Sequence, residues 1–188
     1  MADRNAVHDL SDTLVKLLQA AVGAGGMVNP GDISVTTPDK FHDLKPPAIT
    51  IFLYRVAVNP MMRNGPRVTR PNGATTRPLL PLELSYLITP WGRDARDEHT
   101  LLGLILQALY DRTELGPADL QGTAWGPNDS VQLIQESLPT DEHYRIWDTV
   151  DMPYRLSLTY LARIMGIEPR EEVSTAPVVH AEFGGRRL

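Results

Sequence analysis

Apolar and polar positions alternate along residues 81–89 and then change at once to a helical spacing. Leu82, Leu84, Tyr86 and Ile88 share one side of an extended chain, because successive side chains of a strand point to opposite faces. The Thr-Pro-Trp-Gly sequence that follows predicts the end of this strand, since proline cannot donate to a sheet ladder and glycine permits a sharp turn.

Residues 97–110 predict a helix that is apolar on nearly all sides. Its first turn is acidic, and its leucine-rich body leaves only a narrow polar stripe through His99, Gly103, Gln107 and Asp111. A helix of this kind is covered on most of its sides. We expect this helix to form the core of the domain. A second interpretation is that part of its surface faces a neighbouring subunit.

Similar patterns predict elements in the rest of the chain. Amphipathic spacing indicates a helix, and alternation or a short apolar run indicates a strand. The further predicted elements are, in chain order, a helix over 5–22, strands over 33–36 and 48–58, a possible strand over 131–135, a short helix over 139–150 and a half-buried strand over 156–164.

Residues 59–78 predict a projecting basic loop or hairpin. Turn-forming Asn-Pro, Asn-Gly and Arg-Pro pairs crowd this segment, and it is basic within an otherwise acidic protein. Two interpretations stay open: a solvated excursion, or a contact arm whose guanidinium groups meet carboxylates of a partner. The candidate contact residues are Arg63, Arg67, Arg70 and Arg77.

Two other features are candidates for partner contact. The segment 168–188 is either a frayed end or an extended arm that adds a strand to another subunit, and only Val178, Val179 and Phe183 could anchor it. Trp91 is either a lid over the end of the sheet or an interface anchor.

Composition narrows the classes of function. A chain of 188 residues suits one domain with extensions, and its net charge of −5 does not favour nucleic-acid binding. We expect no membrane segment or signal peptide and therefore a cytoplasmic site of synthesis and folding. The absence of cysteine excludes disulfides, thiolate metal sites and a cysteine nucleophile.

Asp-Glu-His occurs at 97–99 and again at 141–143. These residues could serve a small metal-dependent hydrolase, but consecutive residues at a helix start point in different directions, and acidic first turns complement the helix dipole. The sequence carries no phosphate-binding loop, nucleophile elbow or zinc-binding histidine spacing. We therefore expect no catalytic, metal or cofactor site.

Four segments together resemble one family. The chain is similar, over about residues 5–167, to the cap or tail-terminator proteins of phage-tail-like contractile injection systems of the antifeeding-prophage type. The segments that carry the resemblance are 51–64 (IFLYRVAVNPMMRN), 81–92 (PLELSYLITPWG), 98–109 (EHTLLGLILQAL) and 153–160 (PYRLSLTY).

The resemblance implies an α+β fold, with a mixed, mainly antiparallel sheet of about four to five strands flanked by helices. It implies a cap domain over 1–167 with the projecting basic loop at 59–78, and composition alone predicts the extended tail 168–188. It also implies a homohexameric ring that closes the distal end of an injection particle on inner-tube and sheath proteins, after assembly in the cytoplasm. A baseplate or sheath–tube adaptor is the alternative within the same particle. The resemblance implies no catalytic residues in this chain.

Overall fold

The computed structural model of the protein describes residues 2–23, 26–63, 68–69, 75–76 and 78–169. The helices are α1 (Ala6–Gly23), α2 (Ala95–Tyr110) and α3 (Thr140–Asp148), with short 3-10 turns at Pro30–Asp32 and Pro38–Asp43. The strands are β1 (Ile33–Val35), β2 (Ala48–Val58), β3 (Val68–Thr69), β4 (Thr75–Thr76), β5 (Leu80–Trp91), β6 (Glu114–Leu115), β7 (Val131–Glu136) and β8 (Leu158–Ile167).

Six of these strands form one sheet in the order β1-β2-β5-β8-β7-β6. Only the β1–β2 pair is parallel, and the other neighbours are antiparallel. The mixed, mainly antiparallel α+β fold is therefore confirmed. The predicted count of four to five strands is slightly low, because β6 has only two residues and is too short to show an alternating pattern.

β5 continues through Pro90 to Trp91. Pro90 pairs with Ile49 on β2, whereas the pairing of β5 with β8 stops at Ile88. At Pro90 the β8 side of the strand is open, so the missing proline N–H costs no ladder bond. The strand therefore ends within the Thr-Pro-Trp-Gly sequence, as predicted, at Trp91 and not before the proline.

α1 and α2 pack on one face of the sheet and form the main core. α1 buries a side chain about once per turn, at Ala6, Leu10, Leu14, Leu18 and Val22, which is the stripe that its spacing predicts. Burying each large aliphatic side chain contributes about 1.5–3 kcal/mol relative to leaving it exposed. This face holds the greater part of the described hydrophobic core.

α2 is covered on fewer sides than its sequence predicts. Leu101, Ile105 and Leu109 are buried against α1 and the sheet, but Leu102 and Leu106 are only half-buried. Tyr110, at the end of the helix, is 79% exposed. α2 thus belongs to the core on one side and presents apolar side chains on the other.

A second, smaller cluster lies on the opposite face of the sheet. Phe41, Trp91 and Trp147 are in mutual contact, with ring centroids 5.4–6.4 Å apart. Leu87 of β5 and Val150, just after α3, complete the buried set with Ala48. α3 and the turn at Pro38–Asp43 therefore cover this end of the face.

A buried carboxylate ties α1 to the loop before β7. Asp9 Oδ2 accepts hydrogen bonds from the amides of Thr123 and Ala124, both at 2.9 Å. Burial alone would raise the pKa of Asp9, but these amide bonds and the neighbouring His8 outweigh it and hold the pKa below its ordinary value of 3.8. Gly122 has φ +88°, and a Cβ there would collide with the Asp9 carboxylate.

Among the residues that the structure describes, no helix combines the length and the hydropathy needed to cross a bilayer.

Candidate assembly surface

Only part of the predicted contact set can be located. Arg63 is exposed in the turn that follows β2. The other predicted contact residues of the loop and the tail lie outside the described residues; they are Arg67, Arg70, Arg77, Val178, Val179 and Phe183. Within the loop, β3 and β4 pair as a short antiparallel hairpin.

Hydrogen bonds order the base of this loop. Asn59 Oδ1 accepts from the amides of Met61 and Met62 at 3.0 and 3.3 Å, and Asn59 Nδ2 donates to Glu83 Oε1 at 2.9 Å. Arg163 Nε donates to the same oxygen at 2.9 Å. The chain thus leaves β2 through a turn that is tied to both β5 and β8.

Apolar side chains surround the loop base on the outside of the subunit. They come from the end of β2, the turn after it and the first residue of β5, and each is between 38% and 91% exposed. We call this set the apolar rim; it consists of Val56, Val58, Met61, Met62 and Leu80. Clustered exposed apolar side chains are typical of surfaces that a partner covers.

The sequence did not reveal the rim as a surface. Val56 and Val58 continue the alternation of β2 and share the helix-side face with Leu84 and Leu82, their partners on β5. Leu84 is fully buried, whereas Val56 is 54% exposed. A pattern shows which residues share a face of a strand, but not how far the covering helix reaches along it.

β2 also has an open strand edge. β1 pairs only with Ile49–Ile51 of β2, and no other described strand lies beside Leu53–Val58 on that side. The Asn59 amide donates to the Pro81 carbonyl of β5 at 3.0 Å. Because backbone groups alternate in direction along an edge, those of Val58 and Val56 point away from β5. We call the outer side of Leu53–Val58 the open β2 edge.

The structure places Trp91 inside the subunit. The residue is 3% exposed, and its Nε1 donates to Thr50 Oγ1 at 2.9 Å. The guanidinium of Arg155 lies over the ring, 5.1 Å from the centroid, and Arg155 Nη1 also donates to Glu98 Oε1 at 2.7 Å. Trp91 therefore acts as a lid that joins β5, α2 and the segment before β8. Its side chain offers almost no surface to a partner.

The first Asp-Glu-His segment has structural contacts. Glu98 pairs with Arg155, Asp97 pairs with Arg93 at 2.9 Å, and His99 is exposed. The N-cap is Asp94, whose carboxylate accepts the amides of Arg96 and Asp97. These side chains fix the start of α2.

The second Asp-Glu-His segment opens α3. His143 Nε2 lies 2.9 Å from Ser157 Oγ, and burial lowers the pKa of His143. Asp141 lies 3.8 Å from Arg145, one turn along the helix. In the described parts of the chain, acidic and histidine side chains form no group of three that could hold a metal ion.

Residues 9–181 match the model of the Pvc16 N-terminal domain. The chain belongs to this family. No curated protein matches the chain in sequence to a significant degree.

Two solved structures share the Pvc16 N-terminal domain fold seen here. One is the sheath/tube terminator of an extracellular contractile injection system, PVC, in the extended state, with a TM-score of 0.63, 18% identity and 94% of this chain covered. The other is the tube-terminating cap of the anti-feeding prophage, with a TM-score of 0.61, 20% identity and 94% covered. This chain spans 63% and 60% of the length of those two proteins.

Proposed function

We propose that this protein is a structural cap of a contractile injection particle, and that it ends the growth of the inner tube and sheath. The proposal rests mainly on the fold, since 94% of the chain matches two proteins described as a sheath/tube terminator and a tube-terminating cap. Membership of the Pvc16 N-terminal domain family supports the same conclusion.

The surface suits a protein that works by contact. The apolar rim and the open β2 edge are both features that a partner commonly covers. The acidic residues Asp97, Glu98 and Asp141 of the Asp-Glu-His segments, by contrast, pair with arginines within the subunit. We therefore propose a role without catalysis, a cofactor or a metal ion.

The finer proposal is a homohexameric ring that sits on the last ring of inner tube and contacts the last ring of sheath. Identical subunits form a closed ring through a heterologous interface, in which two different patches meet. The rim and the edge lie where β2 ends and β5 begins, whereas Leu102, Leu106 and Tyr110 lie on α2. The protein therefore has more than one apolar patch from which such a ring could be built.

We propose that the ring assembles in the cytoplasm with tube and sheath proteins, without nucleic acid or a membrane. The finished particle is then retained or released. The arginines of the 59–78 loop are proposed to meet carboxylates of the tube or sheath, because guanidinium groups pair well with planar carboxylates.

Deletion of the gene tests the proposed cap function. We expect tubes and sheaths of irregular length, or no complete particles, by negative-stain electron microscopy, with normal length restored by the gene in trans. Particles of normal length in the deletion strain would contradict the proposal.

The position of the protein separates a cap from an adaptor. A tag on the protein is expected to label only the end of the particle distal to the baseplate. Label at the baseplate would instead assign it as a baseplate adaptor. Purified protein should also appear as rings in two-dimensional class averages.

A further inference from the structure

Two exposed tyrosine rings form a fixed platform beside α3. Tyr144 of α3 and Tyr154, in the segment before β8, are 46% and 42% exposed, and their ring centroids lie 4.5 Å apart. The Tyr154 ring also packs edge-on against His143 and Trp147, with centroid distances of 5.8 and 6.5 Å. Because these contacts hold the rings in place before a partner arrives, docking on them costs little side-chain freedom.

Carboxylates flank this pair of rings. Asp141 and Asp148 lie three residues before and four residues after Tyr144 on α3, so they share its side of the helix. Arg145 is the one basic residue of the segment 139–154, and it lies 3.8 Å from Asp141. We call this set of exposed side chains the acidic tyrosine patch; it consists of Tyr144, Tyr154, Asp141, Asp148 and Asp151.

The charges of Asp148 and Asp151 bring the subunit itself no benefit. α3 ends at Asp148, and the carbonyl groups at the C-terminal end of a helix favour cations and disfavour anions. Asp151 follows with φ +55°, a left-handed conformation that chains usually assign to glycine or asparagine after a helix. The two side chains make no hydrogen bond or ion pair with any described residue. Charges that the subunit does not use indicate a use outside it.

The patch offers an arginine side chain two kinds of contact at once. A guanidinium group stacks on the face of a tyrosine ring, and its planar fork of N–H groups pairs with a carboxylate. A lysine ammonium is a point charge and has no plane to stack. The same combination occurs inside this subunit, where Arg155 lies over Trp91 and pairs with Glu98. Nucleic acid and acidic membrane surfaces would instead meet like charge.

The patch lies at the opposite end of the sheet from the 59–78 loop. α3 packs on Trp91 at the end of β5, whereas the loop joins the end of β2 to the start of β5. β8 also ends on the loop side, because Ile167 pairs with Leu80. β5 has 12 residues, which corresponds to a length of about 35–40 Å. The patch is therefore separate from the apolar rim and the open β2 edge.

We propose that the acidic tyrosine patch docks an arginine-bearing segment of the inner-tube protein. The tube is the partner that the descriptions of both similar structures share, since one is a sheath/tube terminator and the other a tube-terminating cap. This contact rests on the proposed cap function and adds to it the chemistry by which the tube is bound.

The double variant Asp148→Asn/Asp151→Asn tests the role of charge. Its free energy of unfolding should be unchanged or higher, because asparagine keeps the shape of aspartate and relieves the repulsion at the end of α3. Its affinity for purified inner tubes, measured by co-sedimentation, should fall by about tenfold. Wild-type binding should itself weaken as salt is raised.

The matched control is Asp12→Asn/Asp111→Asn. It removes the same charge from exposed positions on α1 and at the end of α2, and it should bind tubes as the wild type does. An equal loss of affinity in both double variants, or no loss in the patch variant, would overturn the proposal.

Substitutions of Tyr144 test the role of the ring. Tyr144→Leu keeps apolar surface but removes the aromatic face, whereas Tyr144→Phe keeps that face. The leucine variant should bind tubes at least about threefold more weakly than the wild type, and the phenylalanine variant should bind as the wild type does. A leucine variant with wild-type affinity would contradict the stacked arginine.

Chemical modification of the tubes identifies the partner group. Tubes whose arginines are blocked with phenylglyoxal should no longer bind, whereas tubes acetylated on lysine should bind, with electron microscopy to show that both preparations are intact. Binding lost on acetylation alone would overturn the assignment to arginine.

Two further measurements separate the tube from other occupants of the patch. The Asp148→Asn/Asp151→Asn variant is compared with the wild type in co-sedimentation with sheath and in self-association by analytical ultracentrifugation. A loss of either interaction with tube binding unchanged would place the sheath or a second copy on the patch, and the proposal would be wrong.

The outcomes also distinguish this contact from the cap function. If the wild type and the patch variant cap tubes equally well, the function stands and the contact is refuted. If the wild type binds neither tubes nor sheaths, the cap function itself fails, and the contact fails with it.

Discussion

At the scale of single residues, buried polar contacts determine how loops attach to the body. Asp9 accepts hydrogen bonds from two backbone amides of the loop before β7. Glu83 accepts hydrogen bonds from the side chains of Asn59 and Arg163 at the base of the 59–78 loop. Each is a carboxylate that accepts from several donors, and hydrogen bonds to an ionised acceptor are stronger than those between neutral groups. Neither role is visible in the sequence, because each pairs residues far apart in the chain.

Replacing Asp9 by alanine should destabilise the protein by about 2–3 kcal/mol, because the Thr123 and Ala124 amides lose their acceptor. Urea unfolding followed by circular dichroism measures this loss. Asp12→Ala is the matched control on the same helix, since the Asp12 side chain is 57% exposed, and it should change stability by less than about 0.5 kcal/mol.

The Asp9 contribution should also depend on pH. The pKa of Asp9 is lowered in the folded protein, so its stabilising effect is present above the unfolded pKa, which is about 4. It is lost as the pH falls through the lower folded pKa. The stability difference between the wild type and Asp9→Ala should therefore be constant near neutral pH and shrink below about pH 4. A difference that grows with acidity would contradict this assignment.

At the scale of elements, the boundaries follow capping and packing. α2 begins where Asp94 accepts the amides of Arg96 and Asp97, both at 2.9 Å, and Gly92 allows a close approach that a Cβ would block at the Glu98 amide. The predicted helix over 97–110 is confirmed with a start two residues earlier. The acidic first turn that could have suggested catalysis belongs to this helix start.

Asp94→Ala should lower the free energy of unfolding by about 0.5–2 kcal/mol, because two amides at the start of α2 lose their acceptor. Arg93→Ala is the matched control, since it removes only the exposed pair with Asp97, and such pairs contribute about 0–1 kcal/mol. Chemical unfolding of both variants compares them directly. Equal losses would show that Asp94 does not act as the cap.

At the scale of the whole molecule, the sheet carries the main hydrophobic core on one face and exposed apolar residues at one end of its strands. The rim, the open β2 edge and the loop 59–78 all arise where β2 ends and β5 begins. This grouping places these three candidate contacts at one end of the subunit. A protein that stops the growth of a polymer needs such a difference between its ends, since only one of them should bind the next subunit.

Replacing the four loop arginines, Arg63, Arg67, Arg70 and Arg77, by serine should weaken assembly on tube and sheath while the subunit stays folded. Exposed arginines contribute little to stability but much to charge complementarity. Co-sedimentation with tube and sheath, at low and high salt, measures the effect. As a control, serine at the exposed Arg93 and Arg145 changes charge away from the loop. Unchanged assembly of the loop variant would mean that the loop is only solvated.

The sequence by itself determined the order and type of the main elements and the family to which the chain belongs. The spacing of apolar residues carries that information, as in the buried side chains at every fourth position of α1 and the alternating side chains of β5. The absence of cysteine likewise excluded disulfides and thiolate chemistry without any knowledge of the fold. These properties depend on neighbours in the chain, so they can be read without knowing the fold.

Only the tertiary structure decided which apolar residues are covered. Val56 and Leu84 lie opposite each other and look alike in the sequence, yet one is exposed and the other is buried. Trp91 could be an anchor or a lid, and its contacts with Thr50 and Arg155 make it a lid. Burial depends on how far a strand or helix from another part of the chain extends, and periodicity contains no record of that distance.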